Sequence, residues 1–135
     1  MKFIVNYTTE MMKKKVLIYG NQKCFSKYLK SKFQDVLVFD VCKNFRDLKE
    51  ELDTYSVIVL VIYAEEDLFD FFKIYRSEIP LVVCSFNKRV LDFLMDLENL
   101  FLLDTSKIRS EILNQLGFYF NERILDVQIP FASDN

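Results

Sequence analysis

Apolar and polar positions along this chain predict four short strands, each followed by a helix, and a weaker fifth strand. Unbroken apolar runs place the strands at residues 16–19, 36–39, 57–63, 81–84 and 101–103. The third run is the longest, is rich in β-branched residues and does not alternate, which is typical of a central strand buried on both faces. Strands that alternate with helices indicate βαβ units and a parallel sheet.

Apolar residues at helical spacing predict five helices, at about residues 21–33, 44–55, 64–79, 87–100 and 106–121. Asn21, Asn87 and Ser106 are candidate N-caps, because their side chains accept hydrogen bonds from the first turn. Gly117 is a candidate C-cap, with a helix that runs on through Phe120 as the alternative.

Right-handed crossovers place these helices on both faces of a five-stranded parallel sheet. The lengths of the elements suit the strand order 2-1-3-4-5, so we predict an α/β, flavodoxin-like three-layer sandwich. We expect a single domain over 1–135, with a core at about 14–120 and terminal extensions at 1–12 and 121–135. Ligands of such sheets bind outside the carboxyl ends of the strands, where a site is sought first.

The net charge of the chain and the length of its apolar runs limit the classes of partner to be expected. The formal net charge of the 135 residues is -2, which does not favour nucleic acid or an anionic membrane. No apolar run approaches the ~20 residues of a membrane-spanning helix. We therefore expect a cytoplasmic protein with neither nucleic acid nor membrane as its partner.

Several residue types needed for common chemistry are scarce. The absence of histidine excludes Ser–His and Cys–His pairs and removes the commonest metal ligand. The three cysteines, Cys24, Cys42 and Cys84, show no zinc-site spacing, and we expect them to be reduced and mostly buried. Two glycines are too few for a Rossmann fingerprint or a P-loop. We expect no cofactor and no metal.

The order of elements and the segment PLVVCSF at 80–86 carry a resemblance to a known family. Over about residues 14–120 the chain resembles the response-regulator receiver (CheY-like) domain of two-component signalling. The segment is similar to the receiver's fourth strand, and Ser85 falls where the family's hydroxyl contacts the phosphoryl group. The resemblance implies the same flavodoxin-like fold and a role in signal transduction.

The other positions of the receiver site depart from the family pattern. Gly20 and Asn21 stand where receivers carry the acidic pair that holds Mg²⁺. Val61 stands near the position at which receivers carry the phosphoacceptor aspartate. Asp104 replaces the lysine after the fifth strand. The resemblance therefore implies a degenerate pseudo-receiver without phosphotransfer. Acidic residues 65–67 could line the same rim, but a solvated first helical turn is the simpler interpretation.

Aromatic residues are more numerous than one apolar stripe per helix requires, with 14 Phe and 7 Tyr. They indicate either a thick core between helices and sheet or a protein interface, since aromatics dominate binding hot spots. In receivers, the fourth helix, fifth strand and fifth helix form the usual output and dimerisation surface, which implies a signalling partner or a homodimer. The interface candidates are Phe69, Phe72, Tyr75, Arg89, Phe93, Arg109, Phe118 and Tyr119.

Two other functions remain open from the sequence. Cys24 follows the first strand near a helix N-terminus, where the pKa of a thiol can fall. A small α/β enzyme or phosphocarrier using Cys24 or Ser85 at the strand-end crevice is therefore an alternative to the signalling module. A crevice that binds a small ligand without chemistry is the third hypothesis.

Overall fold

The computed structural model describes residues 13–20, 23–44, 46, 48 and 51–123, and only the backbone of residues 23 and 24. In this part of the chain five strands, β1 to β5, span Lys14–Tyr19, Leu37–Cys42, Val57–Val61, Leu81–Ser85 and Leu100–Asp104. Four α-helices, α1 to α4, span Lys23–Phe33, Leu68–Tyr75, Lys88–Leu94 and Arg109–Arg123. Short 3₁₀ turns lie at Leu52–Thr54 and Glu65–Asp67.

The five strands form one parallel sheet in the order β2-β1-β3-β4-β5, which confirms the predicted topology. The order reverses between β1 and β3, so a switch point lies at the carboxyl ends of these two strands. At those ends Tyr19 pairs with Leu60, and Val61 pairs with Cys84. This register brings the ends of β1, β3 and β4 to the same edge of the sheet.

Side chains of β3 supply both faces of the core, because successive residues of a strand point to opposite sides. Val57, Val59 and Val61 pack into the layer that contains α1 and α4. Ile58 and Leu60 pack into the layer that contains α2 and α3. All five are buried, so β3 is the central strand that its unalternating apolar run predicts.

One aromatic contact joins the first helix to the last. The rings of Phe33 in α1 and Phe120 in α4 meet edge to face, with centroids 5.1 Å apart. Both side chains are fully buried in the same core layer. Edge-to-face aromatic pairs add about 0.5–1.5 kcal/mol beyond the area that they bury. The two helices of this layer are therefore packed directly on one another as well as on the sheet.

The helix predicted at 44–55 is wrong over the residues that the structure describes. Leu48 and Glu51 lie outside any helix, and Leu52–Thr54 forms a single 3₁₀ turn. The next residue, Tyr55, is extended and buried, and its hydroxyl donates to Asp40 Oδ2 at 2.7 Å. Leu48 and Leu52 pack against the core without a regular helix, and the buried, hydrogen-bonded Tyr55 lies on extended backbone.

The last helix begins later than predicted, while at its C-terminal end the alternative prediction, a helix that runs on through Phe120, is confirmed. It begins at Arg109 rather than after a Ser106 cap, because Ser106 donates from its backbone N–H and its hydroxyl to Asp104 Oδ1. Gly117 is buried inside the helix and does not cap it, and α4 continues to Arg123. Ile108 precedes the helix and is exposed.

The fourth predicted helix starts as expected but is shorter. Asn87 Oδ1 accepts hydrogen bonds from the backbone N–H groups of Arg89 and Val90, which confirms the predicted N-cap of α3.

Within the described ranges, no helix is both long and apolar enough to cross a membrane.

Candidate functional site

The carboxyl ends of the strands bring the predicted site positions to one edge of the sheet. Gly20 directly follows β1, Val61 ends β3, Ser85 ends β4 and Asp104 ends β5. Ser85 and Asp104 are partners in the β4–β5 register. The structure therefore gathers these four positions at the strand-end crevice, while Asn21 lies outside the described residues.

Gly20 and Val61 close the centre of the crevice. Gly20 has φ +154°, a conformation that side-chain-bearing residues rarely adopt, and its N–H donates to Cys42 O at 3.0 Å. A Cβ at residue 20 would lie 3.0 Å from Val61 Cβ, tighter than most real Cβ contacts, so Val61 would have to shift to admit it. Val61 itself is 7% exposed. The end of the central strand is thus an aliphatic contact without a polar side chain.

Ser85 is buried and holds the turn that follows β4. Its side chain is 1% exposed, and its Oγ accepts a hydrogen bond from the N–H of Asn87 at 3.0 Å. The Asn87 amide in turn donates to Tyr63 O at 3.2 Å and caps α3 through its oxygen. Ser85 therefore organises the β4–α3 connection, and a hydroxyl so enclosed is poorly placed to act as a nucleophile.

Asp104 carries the negative charge at the end of β5. Its Oδ1 accepts from the Ser106 hydroxyl at 2.6 Å and from the Ser106 backbone N–H at 2.9 Å. These bonds, with a smaller contribution from the Lys107 charge, lower the pKa of Asp104. The carboxylate is thus ionised and partly used in a local turn.

The acidic residues at 65–67 do not converge on the crevice. Asp67 Oδ2 accepts from the N–H groups of Tyr63 and Ala64, which fixes the turn before α2. Glu65 Oε1 lies 3.4 Å from Arg89 Nε at the surface. This agrees with the interpretation as a solvated first turn.

The strand ends do not fit the Mg²⁺ ion that the receiver resemblance implies. Mg²⁺ is held by carboxylate and other oxygen ligands in octahedral geometry. Of the strand-end positions that the structure describes, Asp104 alone offers a carboxylate, and Ser106 already binds it. Throughout the described residues, no group of three or more acidic, cysteine or histidine side chains could hold a metal ion.

The thiols that the structure describes are also poor nucleophiles. Cys84 is completely buried in β4, and that burial raises the pKa of its thiol far above the ordinary value. Cys42 is buried at the end of β2. The side chain of Cys24, on which the predicted alternative enzyme depends, lies outside the described residues. Nothing that is described therefore favours that alternative.

A second candidate site is the outer surface of α2 and α3, which we call the α2–α3 surface. It carries three of the predicted interface aromatics: Phe69 is 75% exposed, Phe93 55% and Phe72 40%. The rings of Phe72 and Phe93 meet edge to face across the two helices, with centroids 6.3 Å apart. Exposed aromatics gathered on one surface are typical of protein interaction sites.

The two helices of this surface run side by side in the same direction. Near their N-terminal ends, Glu65 pairs with Arg89. Near their C-terminal ends, the Tyr75 hydroxyl donates to Glu98 O at 2.7 Å. The predicted candidates Tyr75 and Arg89 therefore tie the two helices together at opposite ends of the α2–α3 surface.

The remaining interface candidates do not form a comparable surface. Tyr119 is only 6% exposed and packs in the core against Phe101, so its prediction as a surface residue is wrong. The Arg109 guanidinium lies over the Tyr28 ring, 3.7 Å from its centroid, which joins α4 to α1. Phe118 is exposed on α4.

Apart from Arg89, sequence reasoning missed the charged residues that surround the aromatics of the α2–α3 surface. The signal was present as the order of signs, which runs from acidic to basic over residues 65–76 and from basic to acidic over residues 88–96. Met95, 63% exposed at the end of α3, was also missed. A single methionine after a helical segment carries no periodic signal of exposure.

Three comparisons relate this chain to known proteins. No protein-family model matches the chain. No curated protein sequence matches it either. A solved structure of a CheY-like response regulator protein from Mesorhizobium loti is similar at 17% sequence identity and a TM-score of 0.49, over 79% of this chain and 98% of that chain. The flavodoxin-like fold of this chain is given by its own sheet order, strand register and two helical layers.

Proposed function

We propose that this protein is a receiver-like signalling or adaptor module that does not accept a phosphoryl group and acts through protein contacts. It is a non-enzymatic module that needs no cofactor. The observation that carries the proposal is Val61, a buried aliphatic residue packed against Gly20 at the end of the central strand.

Phosphotransfer to a receiver requires a carboxylate that becomes an acyl phosphate and carboxylates that hold Mg²⁺. Of the described strands, β3, β4 and β5 end in a valine, a serine and an aspartate, β1 and β2 end in a tyrosine and a cysteine, and a glycine follows β1. The aspartate, Asp104, is hydrogen-bonded to Ser106. It places an anion where receivers carry a lysine. These features support a module without a phosphoryl switch.

A module without that switch is controlled by what it binds. Ligands shift an equilibrium only through different affinities for its states, so here the partner supplies the control. The exposed rings of Phe69, Phe72 and Phe93 support protein contact as the output. The cytoplasmic location stays a prediction.

The test is incubation of the chain with acetyl phosphate and Mg²⁺, followed by intact-mass measurement. We expect an unchanged mass, while a receiver domain with the full acidic site, treated in parallel, gains a phosphoryl group. A stable covalent phosphate on an aspartate of this chain would contradict the proposal. Trapping with beryllofluoride and Mg²⁺, read by NMR shifts of residues after β3 and β5, gives an independent readout and should leave those resonances unmoved.

A further inference from the structure

The α2–α3 surface has a regular arrangement of charge around its aromatic centre. The segment that leads into and out of α2 is acidic at its start, with Glu65 and Glu66, and basic at its end, with Lys73 and Arg76. All four side chains are exposed. Along this edge of the surface the charge therefore changes sign from one end to the other.

The α3 edge of the surface has the opposite order. It begins with the basic residues Lys88 and Arg89 and ends with the acidic residues Asp92 and Asp96, all exposed. Because α2 and α3 run in the same direction, the four corners of the surface alternate in sign. Phe69, Phe72 and Phe93 lie between those corners.

We propose that the α2–α3 surface is a homodimer interface, and that its occupant is the same surface of a second copy of this chain. The inference rests on the proposed function and names the partner. An isologous interface sets one surface against itself through a twofold axis. Four corners of alternating sign meet opposite charges when that axis lies in the surface, either across the helices or along them.

The charge pattern favours a second copy over an unrelated partner. Two corners are acidic and two are basic, and the exposed Glu78 and Glu98 leave this alternation unchanged, so a partner of one sign would meet repulsion at two of the four corners. A copy of the same pattern meets attraction at every corner, while the rings bury one another at the centre. Charge complementarity selects the partner and fixes its orientation, and buried aromatics supply most of the affinity.

The size of the surface indicates a weak dimer. Standard interfaces use ~20–30 residues per side, and the α2–α3 surface offers about half of that number. We therefore expect a dissociation constant on the order of micromolar. Exposed ion pairs are screened by salt, so dimerisation should weaken as ionic strength rises.

Sedimentation equilibrium of the wild-type chain from about 1 to 100 μM at low salt is the first measurement, and a concentration-dependent dimer is expected. Phe93→Ser should raise the dissociation constant about tenfold or more, as expected for a central hot spot. Phe118→Ser is the matched control, because it also removes an exposed ring but from α4, and it should leave the dimer unchanged. Circular dichroism and thermal melts confirm that each variant is folded.

Charge reversal tests self-recognition directly. Glu66→Lys alone should weaken the dimer, because like charges then meet at two corners. Mixing it with Arg76→Glu should restore a heterodimer if the axis lies across the helices. Mixing it with Lys88→Glu should do so if the axis lies along them. Recovery in either mixture supports the proposal and orients the copies.

Three outcomes would overturn it: a wild-type chain that stays monomeric throughout, a dimer that Phe118→Ser disrupts and Phe93→Ser does not, or no recovery in either mixture. None of them bears on phosphotransfer. A monomer whose mass is unchanged by acetyl phosphate would end the homodimer proposal and leave the proposed loss of phosphotransfer standing. A phosphorylated dimer would contradict the proposed loss of phosphotransfer and leave the homodimer proposal standing.

Discussion

Gly20 lies so close to Val61 that a Cβ at residue 20 would stand 3.0 Å from Val61 Cβ. The contact joins the end of β1 to the end of the central strand, where a receiver would place its acidic pocket. Gly20 is also held at φ +154°, which a residue with a side chain rarely adopts. The backbone geometry and the close contact at this point therefore both require glycine.

Gly20→Ala should destabilise the protein by about 2–6 kcal/mol, because backbone strain and overpacking each cost about 1–3 kcal/mol. Urea denaturation measures the loss. In a Val61→Gly background the same substitution should cost less, since the Val61 Cβ that a Cβ at residue 20 would crowd is gone while the strain remains. An equal cost in both backgrounds would show that the contact contributes nothing.

The side chain of Asn87 both caps α3 and donates to Tyr63 O in the connection after β3. Asn87→Ala removes both the α3 cap and the hydrogen bond to Tyr63 O, and should cost about 1–2 kcal/mol. Asn87→Asp retains the capping oxygen and loses the donor, so it should cost less than Asn87→Ala. Chemical denaturation of the two variants separates the cap from the Tyr63 contact. A larger loss for Asn87→Asp would contradict the assignment.

Ser106→Ala should raise the pKa of Asp104 toward its ordinary value, because the Ser106 hydroxyl is the main cause of the lowered pKa. A carboxyl whose pKa is lowered by folding stabilises the folded state above its unfolded pKa. That contribution is lost as the pH falls through the folded pKa. The stability difference between wild type and Ser106→Ala should therefore be present at neutral pH and shrink in strong acid.

An NMR titration of the Asp104 side-chain carboxyl measures this pKa directly. Lys107→Ala is the control, since the Lys107 charge is the smaller cause and its removal should raise the pKa less. If Lys107→Ala moved the pKa more than Ser106→Ala, the hydrogen bonds would not be the dominant cause.

Glu78 and Asn99 both have φ +64°, in the left-handed region, in the loops after α2 and α3. Glu78→Gly should raise stability by about 0.5–1 kcal/mol, because glycine adopts this conformation without the penalty of a Cβ. Asn99→Gly should change stability little, since asparagine tolerates the left-handed region well. Thermal melts of both variants check the contrast. Equal effects would indicate that the strain at Glu78 is relieved by its surroundings.

The strands themselves could be predicted from the sequence because each strand carries a local signal. The run that becomes β3 is apolar at every position, which only a strand covered on both faces requires. The cap of α3 was equally local, since Asn87 and the N–H groups that it binds lie within three residues of one another. Signals of this kind need no knowledge of the rest of the fold.

The failures depend on contacts between residues distant in sequence. Tyr55 is extended because its hydroxyl reaches Asp40 across the sheet, which helical spacing cannot reveal. Tyr119 and Phe118 are neighbours in sequence, yet the first is buried against Phe101 and the second is exposed. Packing decides which aromatic residues of α4 face the sheet. A list of aromatic residues therefore could not separate the core from the surface.

The candidate site was predicted in part. That Gly20, Val61, Ser85 and Asp104 share one edge follows from parallel strands whose ends align. That Gly20 and Val61 touch, and that Ser85 is enclosed beneath Asn87, follows only from three-dimensional coordinates. The charges of the α2–α3 surface required knowing that its two helices run in the same direction.

The edge-to-face pair of Phe33 and Phe120 makes the fold depend on residues near opposite limits of the described chain. A chain shortened ahead of position 120 would lose the ring that packs on Phe33 and leave a cavity beside α1. The folding unit cannot be completed on the ribosome until Phe120 has emerged from the exit tunnel. Until then this core layer lacks the ring that locks α1 onto α4.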